Sequence, residues 1–599
     1  MAKPPIAPPR APSADDLLRA GLQLHQSGRA QEAASYYRRV MATDPKHPAA
    51  NHLLGLVLLG SGDTAQAVNH IARAVAERPD NAQYLCNLGV ALNAASRPEE
   101  AVAALERAVA INPNFAEAYS NLGMAFRELR RFDDAVEAYR RAIAIRPGEA
   151  GFHYNLANSL GSAGDIVPAE RSYREALRLR PGHPAATNAF AGMLDEQGRY
   201  QEGLDLVDAA LGISANDALL HLRRARLLEH MGRLGEAVAG YDRTLVLRPG
   251  FGEAHHHRAN LMRHRDRDAA LAAMESLFRN EGTPPDDRIF AGFGLGKALA
   301  DIGEHDDSVE TFLTVNRMHR ERTPFVLDKA KADLAADLDR EAGVAAEQDG
   351  AALGPIFIVG LPRAGKSTIE AILSRHPDVA PVRELPTLNR LYKNLSDEYP
   401  GTPLREIPRS RLAQLGHHYL AEARRIAADD AVTVDTMPSN YRLIGVIRAA
   451  LPGARIVWCE RRPTDHIIAI LEKYLTGFGH EYANDPDELV AFHAAYRQAM
   501  EGWRTRLPGA IHFVDVAELR RDRPAQTLKL LEFCGLRWDE ACLADVQSEP
   551  QFPAWEREEA DANRAAHLAA WQRKRPDLFG DEAAKDGTSG LSGSRKRRS

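Results

Sequence analysis

The sequence predicts an α solenoid of helical repeats followed by an α/β domain whose parallel sheet is flanked by helices. Three observations carry this reading. Four series of residues recur at a 34-residue period through the first half of the chain. Beyond residue 354 the pattern changes to short β-branched apolar runs separated by helical segments. The first of those runs ends in a glycine-rich turn that opens a helix. A chain of 599 residues has room for several domains. Its 44% apolar and 26% charged residues are a globular balance.

The charge balance narrows the partners. Lys and Arg number 76 against 82 Asp and Glu, a formal net charge of −6, which excludes a general polyanion binder, so no nucleic-acid partner is expected. Four cysteines, Cys86, Cys459, Cys534 and Cys542, are too few and too scattered for a disulfide framework or a thiolate zinc site. A reduced, cytoplasmic setting is expected. No apolar run reaches the roughly 20 residues that span a bilayer. The opening MAKPPIAPPRAPSADD is proline-rich without the apolar core of a signal peptide, and residues 1–13 read as disordered.

Prolines fall at Pro45, Pro79, Pro113, Pro147 and Pro181, then at Pro249, with Ala215 in the same phase. Small residues recur at Gly21, Gly55, Gly89, Gly123, Ala157, Ala191, Ala225 and Ala259. A third series runs Ala33, Ala67, Ala101, Ala135, Ala169, Gly203 and Ala237. Gly28, Gly62, Gly164, Gly198 and Gly232 form the fourth, with Ser96 and Arg130 filling its gaps. Two helices per unit explain all four: small residues where backbones approach, a glycine turn between the helices, and a proline that ends one unit and starts the next. Segments such as NLGVALNAASRPEEAVAALERAVAINP match the tetratricopeptide repeat (TPR) pattern. Seven units are expected across about 14–250, within a helical domain running from 14 to 321.

Stacked repeats leave a concave groove. In TPR proteins the position held here by Asn87, Asn121 and Asn155 faces that groove, and an amide ladder there can bond the backbone of an extended protein or peptide. The cluster His255, His256, His257 and His264 is not expected to hold a metal, because consecutive helical residues point about 100° apart. Residues 322–353, ending in EQDGAALG, read as a connector.

The second domain is expected over 354–579. PIFIVG reads as a buried parallel strand, GLPRAGKS as a phosphate loop and STIEAILSRHP as the helix behind it. Gly360 and Gly365 bracket four residues ahead of Lys366 and Ser367, which lets successive backbone amides converge on one anion at a helix N-terminus. Arg363 and Lys366 add full charges. AVTVD (431–435), RIVWC (455–459) and IHFVD (511–515) supply three more strands, and ligands belong at their carboxyl ends, where Asp435, Glu460, Arg461 and Asp515 fall.

PIFIVGLPRAGKSTIEAILSRHPDVAPVRELP resembles the start of the nucleotide-dependent sulfotransferases, more closely the bacterial TPR-sulfotransferases and their protein-tyrosine sulfotransferase relatives. VDTMPSNYRLIGVIRAALPGARIVWCERRPTDH and LLEFCGLRWDEACL extend the resemblance over about 354–545. It implies 3′-phosphoadenosine 5′-phosphosulfate (PAPS) as donor and no obligatory metal. Carried over by position, Arg363, Ala364, Gly365, Lys366, Ser367 and Thr368 would cradle the 5′-phosphosulfate. Arg461 matches the arginine that holds the 3′-phosphate, and Ala469 stands where the family has a 3′-phosphate serine. Glu384 matches the acid of the G-E-L-P block, the general base. Lys366 and Asp435 complete the expected catalytic set.

The chain departs from the family pattern at Ala364, Lys366, Thr436, Arg462, Ala469 and Val516, where hydroxyl, amine or carboxylate groups are usual. Lys366 can replace the charge missing at Thr436, and Arg462 or Lys473 can cover the 3′-phosphate. The expected function is transfer of a sulfuryl group from PAPS to a hydroxyl of a protein, tyrosine included, or of a glycan captured by the TPR domain. Two alternatives stand beside it. One is a P-loop kinase or nucleotidase using Mg-ATP, with Asp435 as the magnesium ligand. The other is a TPR adaptor with a non-catalytic transferase domain. The tail 580–599, with Arg595, Lys596, Arg597 and Arg598, reads as disordered and basic.

Overall fold

The structure, a computed structural model, describes residues 12–340, 353–427, 431–475, 479–544 and 554–582. Residues 1–11, the stretch 341–352 of the expected connector, and the tail beyond 582 with its Arg595, Lys596, Arg597 and Arg598 lie outside the described residues. The chain divides into two compact units, Met1–Ala237 and Val238–Ser599. No helix among the described residues is long and apolar enough to cross a membrane.

The first unit is a stack of antiparallel helix pairs. Its pairs run from Ala14–Gln26 with Ala30–Thr43 to Pro184–Glu196 with Tyr200–Ile213, and Ala218–His230 follows. The phased prolines lie in the short links between pairs, as Pro79 does between Thr64–Glu77 and Ala82–Ala94. The turn within each pair needs a left-handed residue. Gly62 takes it at φ 86°, and the gap-fillers Ser96 and Arg130 take it at φ 56° and 58° although each carries a Cβ. The small-residue series marks direct backbone approach. A Cβ on Gly55 would lie 2.4 Å from Ile71 Cγ1, and one on Gly89 would lie 2.4 Å from Leu105 Cγ. Ala33, Ala67, Ala101, Ala135 and Ala169 are completely buried, so the repeats share one continuous core.

The second unit joins helices to a five-stranded sheet. The strands are β1 (Ile356–Val359), β2 (Val379–Arg383), β3 (Val432–Asp435), β4 (Arg455–Glu460) and β5 (Ile511–Asp515). All pairings are parallel, in the order β2-β3-β1-β4-β5. The central strand is buried throughout: Ile356 and Ile358 enter one core, Phe357 and Val359 the other. That two-sided burial is why PIFIVG is apolar without alternation. β2 adds an edge strand to the four read from the sequence. Pro381 sits in it at a register shift, a position where a missing N–H costs no ladder bond.

Helices ahead of the sheet share its core. Ile289, Phe293, Val309, Phe312 and Val315 belong to the same apolar cluster as Phe357, Trp458 and Trp503. Asn316 Nδ2 donates to the Leu471 carbonyl at 2.8 Å, and the Arg320 guanidinium forks onto Glu488 at 2.7 and 2.8 Å. Within the expected connector, helix Leu327–Arg340 is fastened by Arg442 to Asp337 at 2.7 Å and by Arg340 to Tyr392 Oη at 3.0 Å.

Candidate functional site

Strand order reverses around β1, whose neighbours β3 and β4 come later in the chain, the switch point at whose carboxyl ends open parallel sheets bind ligands. The loop Gly360–Gly365 starts there and feeds helix Lys366–Leu373. Two glycines are required. A Cβ on Gly360 would lie 2.9 Å from the Cys459 carbonyl, and Gly365, at φ 109°, lies so close to Val516 that a Cβ would meet Cγ2 at 2.7 Å. Val516 thus presses apolar surface against the loop where the family pattern has a tyrosine. Arg363 holds φ 66°, a left-handed conformation that a non-glycine residue keeps only when its surroundings impose it. Ala364 is buried, its amide donating to the Leu361 carbonyl at 3.2 Å. Among the described residues, the amides of Arg363, Gly365, Lys366 and Ser367 have no intramolecular acceptor. Four donors without an acceptor thus fall within five consecutive residues at a helix N-terminus, the setting in which backbone amides bind anions.

Lys366 is the most telling side chain. It is only 8% exposed, and its ammonium has no hydrogen-bond partner among the described residues. Burial lowers its pKa, with Cys459, Glu384, Asp435 and Glu370 acting in the opposite sense. A buried ammonium without a partner is costly unless an anion is meant to meet it. Arg461, half-buried after β4, repeats the pattern. Its Nε has no partner among the described residues, and its pKa is lowered by burial and then by the like charges of Arg520 and Arg363. Like charges this close to Arg461 oppose one another, and a bound anion would relieve that.

The acids divide. Glu384 is exposed at the end of β2, within electrostatic reach of Lys366 and Glu370. Glu370, one turn beyond Lys366 on the loop helix, was not singled out from the sequence, although an (i, i+4) spacing signals it. Burial raises its pKa, and Oε1 is unpartnered among the described residues. Asp435 is fully buried. It accepts from Tyr419 Oη at 2.8 Å, from the Met437 amide at 2.8 Å and from Asn440 Nδ2 at 3.1 Å. Burial pushes it up to about 7 against those donors. Both oxygens are occupied, so the geometry makes Asp435 a fastening for the turn after β3. Thr436 is buried beside it, its amide bonded to the Arg383 carbonyl at 2.9 Å.

The remaining named residues are placed as follows. Ser367 is exposed, and Thr368 and Ala469 are half-buried. Arg462 pairs with Asp465 at 3.0 Å on the surface. Arg497 Nε lies 3.1 Å from Glu460 Oε1; burial raises that carboxyl to about 7. Sequence reasoning missed His466 and His493. They are fully buried, joined Nδ1 to Nε2 at 3.1 Å, and His466 Nε2 lies 2.9 Å from the Pro362 carbonyl inside the loop.

In the repeat unit, Asn87 Nδ2 meets His52 Nε2 at 2.7 Å and Asn121 Nδ2 meets Cys86 Sγ at 3.5 Å. Each reaches back to the preceding repeat. The Asn155 carboxamide has no hydrogen-bond partner among the described residues. His255 bonds the Pro249 carbonyl at 2.9 Å and His257 stacks on Tyr241, so these rings are engaged separately.

Comparison with known proteins matches residues 355–540 to the sulfotransferase family, and residues 52–114, 94–150 and 154–218 to the tetratricopeptide repeat. A protein of Aquifex aeolicus (strain VF5) described as uncharacterised is 24% identical over 294 residues, 46% of this chain and 38% of that protein. The chain therefore matches well under two thirds of that relative's length. Among solved structures, MamA of Desulfovibrio magneticus RS-1 is 22% identical, covering 29% of this chain and 99% of that one, with a TM-score of 0.27. YrrB, described as a TPR protein with an unusual peptide-binding site, is 22% identical over 30% of this chain and 91% of its own, with a TM-score of 0.27. Tetratricopeptide repeats and a sulfotransferase-family domain share this one polypeptide, which is the make-up of a TPR-containing sulfotransferase.

Proposed function

We propose that the second unit transfers a sulfuryl group from PAPS to a hydroxyl of a protein, tyrosine included, or of a glycan, and that the repeats capture the acceptor. The observation that carries this reading is the Lys366 ammonium, buried and without a partner beside four free amides. That donor set fits a phosphate-sulfate group. PAPS, when bound, supplies an activated sulfuryl group attached to a phosphate leaving group. Arg363, Lys366 and the loop amides hold the charge that builds on that phosphate, so no metal is required for it. Arg461 takes the 3′-phosphate. Glu384, exposed at a strand end, accepts the acceptor's proton. A captured acceptor has a raised effective concentration, which offsets a weak pocket.

The magnesium-nucleotide alternative asks Asp435 for a free oxygen, and both of its oxygens accept from Tyr419, Met437 and Asn440. Transfer of label from PAPS to cell-extract proteins, compared between the full chain and Arg363→Ala, tests the proposal. Label on a discrete band that vanishes in the variant supports it. Binding of Mg-ATP in preference to PAP (3′-phosphoadenosine 5′-phosphate) by calorimetry overturns it. Partner binding without transfer by the wild-type chain would instead favour the adaptor.

A further inference from the structure

We propose that His466 is a positioning residue that aims the Arg363 amide into the anion seat, and that His493 sets the tautomer in which it does so. This rests on the reading of the loop as that seat.

A carbonyl can only accept, so the 2.9 Å contact between His466 Nε2 and the Pro362 oxygen places the imidazole proton on Nε2. Nδ1 is then an acceptor, and the group 3.1 Å from it is His493 Nε2, which must donate. Each ring therefore fixes the proton on the next. Glu460, whose Oε1 lies 3.1 Å from Arg497 Nε, stands 3.8 Å from that same His493 Nε2, beyond hydrogen-bond reach, so the Nε2 proton is left to His466. Both histidines are buried, at 0% and 2% exposed, and burial lowers them to about 4 and about 3, which keeps both rings neutral near pH 7.

The consequence lies in the peptide plane. The Pro362 carbonyl and the Arg363 N–H belong to one planar trans unit, so they point in opposite directions. Holding the oxygen on buried His466 turns the Arg363 amide away from the protein interior. The same constraint supports Arg363 at φ 66°, a conformation that a residue with a Cβ otherwise avoids. His466 lies 104 residues from Pro362 in sequence, on helix Pro463–Leu471, which begins two residues after Arg461. The segment that leaves β4 thereby carries both Arg461 and the residue that orients a backbone donor.

The test compares His466→Leu, which fills the space without a donor, with His466→Gln, whose amide N–H stands near the position of Nε2. Two quantities are read on the full chain: PAP affinity by calorimetry, and hydrogen exchange of the peptide spanning 360–368 in the free protein. His466→Leu is expected to lose at least tenfold in affinity and to quicken exchange at least tenfold, while His466→Gln stays within threefold of wild type on both. Equal behaviour of the two variants, unchanged or equally impaired, overturns the proposal. If wild type binds no PAP, the anion-seat reading falls and the exchange comparison alone decides whether His466 orders the loop. Should His466→Leu fail to fold, His493→Phe replaces it, since it removes the donor that holds the His466 proton on Nε2 without altering the loop or His466 itself; quickened exchange of 360–368 is expected, and unchanged exchange there overturns the proposal.

Discussion

Tyr419 donates its hydroxyl to Asp435 across 2.8 Å, with both side chains completely buried. The carboxyl also receives the Met437 amide and Asn440, so it ties helix Arg409–Ile426 to the turn that follows β3. Burial lifts its pKa from 3.8 to about 7, so the folded protein holds the proton more tightly than the unfolded chain does. The stability this contributes is present in full below about pH 4 and is lost as pH rises through 7, on the order of 4 kcal/mol in all, most of it between pH 5 and pH 8. Urea unfolding at pH 5 and pH 8, in wild type and Asp435→Asn, should show that fall in the wild type minus variant difference. Tyr419→Phe removes one donor and is expected to cost about 1–2 kcal/mol.

Lys366 predicts an inversion between stability and binding. Its ammonium is buried without a partner in the free protein, a cost that a methionine of similar length avoids. Lys366→Met is expected to stabilise the free chain by about 1–2 kcal/mol. The same change should weaken PAP by roughly 100-fold, since it removes a charge-assisted contact from an enclosed site. Thermal unfolding with and without PAP checks both at once. At about 100 times its Kd the ligand adds roughly 2.7 kcal/mol to a protein that binds it, so wild type should overtake the variant. A variant that is less stable in the free state would mean that Lys366 has a protein partner.

Arg461 makes a prediction about selectivity. It is crowded by Arg520 and Arg363, and its Nε is unsatisfied among the described residues. If it holds the 3′-phosphate, Arg461→Ala should weaken PAP by roughly 10–100-fold, the worth of one or two charge-assisted bonds. Adenosine 5′-phosphate, which lacks the 3′-phosphate, should bind wild type and variant alike. Calorimetry with both nucleotides measures this. Equal losses for the two would assign Arg461 to the 5′ side or to the fold.

The parts of this chain legible in sequence are those governed by local spacing. The repeat period placed the helix pairs, because one turn and one close approach recur in every unit. The loop was legible for the same reason, since Gly360, Gly365 and Lys366 are near neighbours. β2 was not, because VAPVR carries a proline and shows none of the apolar continuity of β1; its place at the sheet edge makes that composition tolerable. Long-range partners left no local trace. His466 meets Pro362 across 104 residues, and Asn316 meets Leu471 across 155. Asp435 showed the converse limit. Its position at a strand end suggested chemistry, whereas its surroundings consume its oxygens.

The repeat unit predicts two opposite mutational effects seven residues apart, at Gly89 and Ser96. Ser96 occupies the left-handed turn at φ 56°, where Gly62 sits at φ 86° one repeat earlier. Glycine adopts that conformation freely, so Ser96→Gly removes strain worth roughly 1–2 kcal/mol and returns part of it as extra freedom of the unfolded chain. A net gain of about 0.5–1 kcal/mol is expected. Gly89 is in contact with the side chain of fully buried Leu105, and a Cβ would stand 2.4 Å from its Cγ. Leu105 has to shift within a fully buried site to admit the methyl, so Gly89→Ala should cost about 1–3 kcal/mol. Leu105→Ala alone opens a cavity and costs about 2–5 kcal/mol. Combining the two lets the new methyl enter the vacated space, so the double change should cost at least about 1 kcal/mol less than the sum. Because a chain of two compact units need not unfold in one step, the reading is local: hydrogen exchange of peptides from Ala82–Ala94 and Pro98–Ile111. Additive effects at Gly89 and Leu105 would mean that the close approach of the two helices is not what keeps this series of residues small.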